Sequence, residues 1–470
     1  MVAVRLLKES RDQRLRVVLL DRARIARGTA YAEREFPYPL NVPAARMSAE
    51  SAAPLEFLEF ARRRVGLAAP EDFLPRALYG EYLEWKLSCA EHSSSPHTRF
   101  ERLVGEVCAV ARDPARSAFQ LTLADGRRLK AHQVVIASGA PAPHDLPELS
   151  GVRGSPAYVE NPWREPLSVG PTASVLLVGS GPTMADITLA LSSSAGNQLQ
   201  IHALSRHGWL PTAQKPAPMR EYGVDSEALV AAAAVSMRKL YRVVRDAIEQ
   251  VPARGGDWRD IINGVRQSAP LIWQRLAIVE RRRFLRHVRT LWDIHRHRLP
   301  PASAAALEQL RLTGRLQVHA GRLVSARACG DRITVRWRAR GFTEASLLSV
   351  NRIINCSGTS HDPSRTSEPL WRSLLSQGLA SADPLGLGVC TGRHGIILND
   401  AGEPVDDLYY IGPMLQATHW ECTAVPELRG RAEELARHLL VHDHERSRAG
   451  LASRSRPLPW HREGTAALRP

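Results

Sequence analysis

The residues of this chain best suited to chemistry are two glycines. In Ser174-Val-Leu-Leu-Val-Gly-Ser-Gly-Pro-Thr-Met-Ala-Asp186 an apolar run stops at Gly179, Gly181 follows two residues on, and an apolar helical pattern begins. The first glycine permits a tight turn. The second lets backbone approach a pyrophosphate, which then rests on the positive end of the helix. Met184 stands where the usual third glycine would be. The pair is weak alone, but a strand before it and a helix after it are the context the motif requires. Gly179, Gly181, Thr183 and Asp186 are therefore expected at a dinucleotide; the alternative is an ordinary strand–helix turn. The next strand ends at Leu204-Ser-Arg-His207. NAD sites usually carry an acid there for the ribose 2′-hydroxyl, whereas an arginine accommodates a 2′-phosphate. Arg206 thus favours NADPH over NADH, with a surface arginine as the competing reading.

Asp21 closes another apolar run, Arg16-Val-Val-Leu-Leu20. An acid at the end of such a strand suits the ribose of a second dinucleotide. Its glycine loop should lie about 20 residues upstream, at Met1, yet the earliest glycine is Gly28. Residues 1–10 read as the second half of the helix that follows such a loop. Either the true start lies upstream of Met1, or the N-terminus is genuinely truncated. The intact later elements favour the first.

The elements around these motifs give an α/β chain with two Rossmann-type dinucleotide-binding domains and an α-helical insertion. The expected division is 1–150 for the first part of one nucleotide domain, 151–221 for the first part of the other, and 222–312 for the helical insertion. Return strands follow over 313–345, the second part of the first domain over 346–442, and a disordered Arg-, Ser- and Pro-rich tail over 443–470. A chain of 470 residues is too long for one core. It has no apolar run long enough to span a membrane and no secretory leader. Six scattered cysteines, without a CxxC, argue against a disulfide framework or zinc site and for a reducing cytoplasm. The net charge of +15 is almost wholly arginine, with five lysines among 63 basic residues, and is spread along the chain. Nucleic acid is not the expected partner, since a single-faced basic patch is lacking. A small molecule is; oligomeric state is open.

The pieces together resemble bacterial FAD/NAD(P)-binding proteins grouped with FAD-dependent urate hydroxylase and the asparagine/aspartate N-monooxygenases. The resemblance rests on Gly28-Thr-Ala-Tyr31, Leu40-Asn-Val-Pro43, the Gly179–Asp186 loop, Ser205-Arg-His-Gly-Trp-Leu-Pro211, Arg283-Phe-Leu-Arg-His287, Trp292-Asp-Ile-His-Arg-His-Arg298, Leu408-Tyr-Tyr-Ile-Gly-Pro413 and Trp420-Glu-Cys-Thr-Ala-Val-Pro-Glu-Leu-Arg429. It implies FAD in the first domain and NAD(P)H in the second. Asp21, Gly28, Tyr31, Asn41 and the amide of Val42 would face FAD. Gly139 and Gly358 would sit at the crossings between domains, and Gly412 before a helix aimed at the flavin. Without the opening strand and loop, the chain as written is expected to retain FAD poorly.

Flavin with NAD(P)H implies hydride transfer, for which the protein supplies orientation and electrostatics. A dithiol pair beside the flavin and a Baeyer–Villiger signature are both lacking. The preferred function is therefore a monooxygenase that hydroxylates a small polar or anionic substrate through a peroxyflavin in a dry pocket. The alternatives are a flavin reductase or dehydrogenase without oxygen insertion, and an inactive nucleotide-binding remnant. No catalytic residue is named with force. His419, Trp420 and Glu421 are substrate-side candidates, although a structural role in their loop is the stronger reading. Arg283, Arg286, His295 and Arg298 could form a cationic cover over an anionic substrate.

Overall fold

The computed structural model describes residues 1–10, 13–113, 118–215 and 224–451, with side chains to Asp443. The chain opens with a helix, α1 (Val2–Glu9), and a strand, β1 (Leu15–Asp21). Helices α2 (Glu56–Val65) and α3 (Arg76–His92) lead into β2 (Thr98–Val104). A small antiparallel sheet follows, of β3 (Val107–Asp113), β4 (Ala118–Leu123) and β5 (Arg128–Ala131), and then a short β6 (Val134–Ile136).

The second half begins at β7 (Tyr158–Val159), β8 (Ser174–Val178), α4 (Pro182–Ser194) and β9 (Gln200–Ser205). Five helices come next: α5 (Ser226–Val235), α6 (Met237–Gln250), α7 (Trp258–Arg275), α8 (Ile278–His287) and α9 (Arg289–Arg296). Helix α10 (Pro301–Leu312) returns to β10 (Leu316–Cys329), β11 (Arg332–Ala339), β12 (Ala345–Val350) and β13 (Arg352–Asn355). The chain ends with α11 (Pro369–Ser376), β14 (Ile396–Leu398), β15 (Pro404–Tyr410) and α12 (Val425–Leu451).

The second nucleotide domain is built on one seven-stranded sheet, ordered β12-β11-β10-β9-β8-β13-β7. Its central strands β8 and β13 are parallel and buried on both faces, so their apolar runs do not alternate with polar residues. That is the pattern of strands covered on both sides. Helices α4 and α10 cover one face through Met184, Ile187, Leu191, Leu307 and Leu310. One strand serves two pairings. Residues 316–320 of β10 run parallel to β9, and its remainder pairs antiparallel with β11. The domain therefore extends through Asn355, past the boundary expected at 345, and takes α10 from the stretch expected to be the insertion. Helix α12 continues to Leu451, and the rest of the tail expected over 443–470 lies outside the described residues.

In the first domain the parallel strands form two groups. β1 pairs with β2 in register from Leu15↔Thr98 to Asp21↔Val104. Separately, β6 pairs with β15, and β15 with β14. Among the described residues no strand joins β1 to β6, although Leu20 and Leu103 pack on the same apolar cluster as Val134, Ile136 and Leu408. Helix α1 lies against α12, where Val2 and Leu6 meet Leu435 and Leu439. The helices α5–α8 enclose a core of their own that is shared with Ala417 and Trp420, so the insertion docks on the C-terminal part of the first domain.

Candidate functional site

The Gly179 turn is dictated by its neighbour strand. Its φ is +121°, and a Cβ there would stand 2.2 Å from the carbonyl oxygen of Cys356 at the end of β13. Only glycine permits that approach. Gly181 is different: it caps α4, and a Cβ would meet nothing within 4 Å. The space in front of it is open, as a backbone that must approach a phosphate requires. Pro182 occupies the first helical position and Thr183, half-buried, the second. Ser180 Oγ lies 2.8 Å from Ser205 Oγ and 2.6 Å from the carbonyl of Trp209, locking the loop to the turn after β9. The amide of Gly208 donates to Ser205 Oγ at 3.0 Å.

Arg206 is exposed on that turn. The His207 ring stacks on Trp209, with centroids 4.6 Å apart. Burial holds His207 below the usual imidazole range, helped by the charges of Arg340 and Arg206. Arg340 was not foreseen. It follows β11, and its amide donates to Ala320, the partner of Ser205 in the β9–β10 ladder. A pairing between distant strands therefore brings a second arginine to the turn after β9, within electrostatic reach of His207. The contiguous βαβ motif does not contain it, so no signal in that stretch points to it. The cradle fits a dinucleotide with a phosphorylated ribose: open glycine, helix N-terminus and two arginines.

Asp186 faces away from this cradle. It is 7% exposed, and Arg76 donates to its carboxylate at 2.6 Å. Burial raises its pKa while Arg76 opposes the rise. Arg76 also donates from Nε to the Pro39 carbonyl and stacks over Trp163. The carboxylate thus clasps the two nucleotide domains together.

The expected FAD residues lie on the other side of the crossings. Asp21 ends β1, with the Ala23 amide 3.4 Å from Oδ1. Gly28 has a left-handed φ of +57° and open space around it. Tyr31 packs edge-on against Tyr79 at 4.7 Å. Asn41 is exposed and Val42 half-buried, in the turn that precedes Pro43. Gly139 and Gly358 both have positive φ with no atom within 4 Å of a built Cβ, and the crossings that contain them are bonded together by His144 N to Gly358 O, 3.2 Å. At Gly412 a Cβ would come 2.7 Å from the Tyr410 hydroxyl, which accepts from the Met414 amide. These positions suit the flavin end and the adenosine ribose.

The three substrate-side candidates take different roles. Trp420 is 6% exposed and packs on Trp273 and Phe284, with centroids 4.7 and 4.8 Å away. Glu421 accepts from Arg296 Nε at 3.0 Å and from Trp292 Nε1 at 3.1 Å. Both residues dock the helical insertion. His419 is pushed down to about 4 by burial and by Arg431, and its Nδ1 is buried without a hydrogen-bond partner. The cationic cover also needs correction. Arg283 and Arg286 are exposed on α8, and Arg283 pairs with Glu280. His295 bonds the Leu291 carbonyl within its own helix and meets Trp258 edge-on.

Of the four, only Arg298 is buried, with Nη2 donating to Asn263 at 2.6 Å. Arg266 and Arg296, which helical spacing did not single out, are buried with it. Their carboxylate partners are Glu427, in the first turn of α12, and Glu421. Burial, and then mutual repulsion with Arg296, pushes both Arg266 and Arg298 down to about 10. Three buried arginines thus meet at the junction of α7, α9 and the start of α12.

The model of a family described as FAD-NAD(P)-binding matches residues 1–141. No curated protein matches the sequence. Among solved structures the chain is similar to the ornithine hydroxylase of Pseudomonas aeruginosa, at 16% identity and TM-score 0.60, covering 94% of this chain and 96% of that one. It is similar to the ornithine N-hydroxylase of Kutzneria sp. 744, solved with reduced FAD, NADP+ and L-ornithine, at 17% identity and TM-score 0.59, over 95% and 96% of the two chains. L-lysine 6-monooxygenase from Pseudomonas syringae gives 14% identity and TM-score 0.58 over 94% and 97%. The chain therefore has the fold of the two-dinucleotide flavoproteins, and its first 141 residues belong to an FAD/NAD(P)-binding domain.

Proposed function

We propose that this protein is a cytoplasmic FAD-dependent, NADPH-consuming monooxygenase that hydroxylates a small carboxylate-bearing substrate, with an amine as the atom oxidised. The finer kinship with the urate hydroxylase and asparagine N-monooxygenase group is part of the same reading. One observation carries it: an open NADP-type cradle at Gly181, Arg206 and Arg340 shares a fold with an enclosed arginine junction at Arg266, Arg296 and Arg298. The buried guanidinium groups of Arg266, Arg296 and Arg298 would orient an anionic substrate group at this junction. The names of the similar structures, which act on ornithine, lysine or cadaverine, support an amine.

When bound, FAD would supply the redox chemistry between NADPH and oxygen. The chain's own residues position and protect. Gly181 and the α4 N-terminus would hold the NADPH pyrophosphate, and Arg206 with Arg340 its 2′-phosphate. The Trp273–Phe284–Trp420 contact seals the insertion against the first domain and keeps water out. A dithiol reductase is disfavoured because Cys356 and Cys422 are buried free thiols whose pKa burial raises. The test is NADPH oxidation and oxygen uptake by FAD-reconstituted protein with ornithine, lysine, aspartate and asparagine. Stimulation with hydroxylated product supports the reading. NADPH oxidation that no amine or carboxylate accelerates would remove it.

A further inference from the structure

A further basic site lies along α12, next to its contact with α1. Arg5 of α1 pairs with Glu433. Sharing Leu435 with that contact, a cavity of about 600 Å³ opens between α12 and the turn at Arg393–Gly395. Arg393, His394, His419, Arg431, Arg437 and His438 line it, and Glu434 is the single carboxylate among the lining residues. Tyr410, Leu415 and Leu435 make its buried apolar floor.

The basic groups of this cavity lack the partners that the chain provides elsewhere. Arg27, Arg76, Arg266 and Arg296 each meet a carboxylate. Arg393, Arg431 and Arg437 form no ion pair among the described residues. Nε of Arg431 and Nδ1 of both His394 and His419 are buried without a hydrogen-bond partner. Such atoms cost free energy unless something fills the space and accepts from them. His394 is also held at a left-handed φ of +56°, a conformation that a non-glycine residue keeps only where its surroundings impose it. That conformation stacks its ring on His438, with centroids 4.6 Å apart. His438 is fixed in turn by the Tyr409 hydroxyl at 3.1 Å.

We propose that this cavity binds a small oxyanion of two negative charges, a phosphate, sulfate or short dicarboxylate, held by Arg431 and the two histidines at the floor and by Arg393 and Arg437 at the rim. Among the lining side chains, three arginines and three histidines face a single carboxylate, Glu434. The site is separate from the nucleotide cradle at Gly181 and from the arginine junction, so it stands whether or not the proposed oxygenase activity does.

Isothermal titration of the full chain tests this, in phosphate-free buffer of low ionic strength with NADP+ saturating the nucleotide cradle. The probes are sodium sulfate, inorganic phosphate and succinate, which separate tetrahedral ions from dicarboxylates. A one-site isotherm for at least one probe is expected. Arg431→Gln should weaken it about tenfold or more, the loss of one charge-assisted contact. Arg393 and Arg437 are exposed, so the double variant Arg393→Gln/Arg437→Gln should fold normally, keep its thermal midpoint and still bind several-fold less tightly. Binding that vanishes with NADP+ present, that ignores these three arginines, or that is absent for all probes overturns the proposal.

Discussion

Arg76 and Asp186 meet at 2.6 Å across the boundary between the two nucleotide domains. Arg76 opens α3 of the first domain, and Asp186 sits on α4 behind the glycine turn of the second. Removing one partner of a buried pair leaves the other charge without compensation. Arg76→Ala should therefore cost about 3 kcal/mol. Asp186→Asn, which leaves behind the charge of the less buried partner, Arg76, should cost less. Urea denaturation of the two variants checks the order.

The two glycines of the loop should fail in different ways. Gly179→Ala drives a Cβ to within 2.2 Å of the Cys356 carbonyl at a φ reserved for glycine. A stability loss of about 3 kcal/mol or more is expected from strain and clash together. Gly181→Ala meets no atom within 4 Å. It should fold with an unchanged thermal midpoint and lose NADPH affinity, because the methyl group occupies the path of the pyrophosphate. Thermal melts with and without NADPH separate the cases.

Arg206 and Arg340 should set cofactor preference. Replacing either with Gln should weaken NADPH by about tenfold, the equivalent of roughly 1.4 kcal/mol, and leave NADH nearly unchanged. Equal losses for both nucleotides would show that the two arginines do not face the 2′-phosphate.

Glu421 should prove a docking residue. Glu421→Ala leaves Arg296 buried without its carboxylate, at a cost of about 3 kcal/mol or more. Glu421→Gln keeps an acceptor for Trp292 and should cost less. Full stability with abolished turnover in Glu421→Gln would instead place the residue in the chemistry.

His361 should make the fold acid-sensitive. Its ring lies between Thr359 Oγ1 at 2.9 Å and Gln416 Oε1 at 2.6 Å, and burial pushes its pKa from 6.5 down to about 4. The unfolded chain therefore takes up the proton first. The stability contributed by neutral His361 is complete above pH 6.5 and is lost as pH falls towards 4. The shift corresponds to about 3 kcal/mol. Denaturation midpoints measured across that window should fall with pH, and less steeply in His361→Gln.

Local pattern alone determined the nucleotide-binding unit. A strand apolar on both faces, two glycines and an apolar helix are contiguous in sequence, so Gly179, Gly181 and Arg206 were legible where they stand. The acid-ended β1 and the crossings at Gly139 and Gly358 were visible for the same reason. Tertiary structure decided what long-range packing controls. Strand pairing brought Arg340 to the turn that carries Arg206 and His207, since a β-ladder joins residues far apart in the chain. Helix packing turned Arg283 and Arg286 outward and buried Arg266 and Arg296, because every face of this arginine-rich insertion carries charge and periodicity could not choose the inner one. It also gave Trp420 and Glu421 to the domain joint and left His419 and Arg431 facing a cavity, a distinction that depends on which neighbour occupies each side of α12.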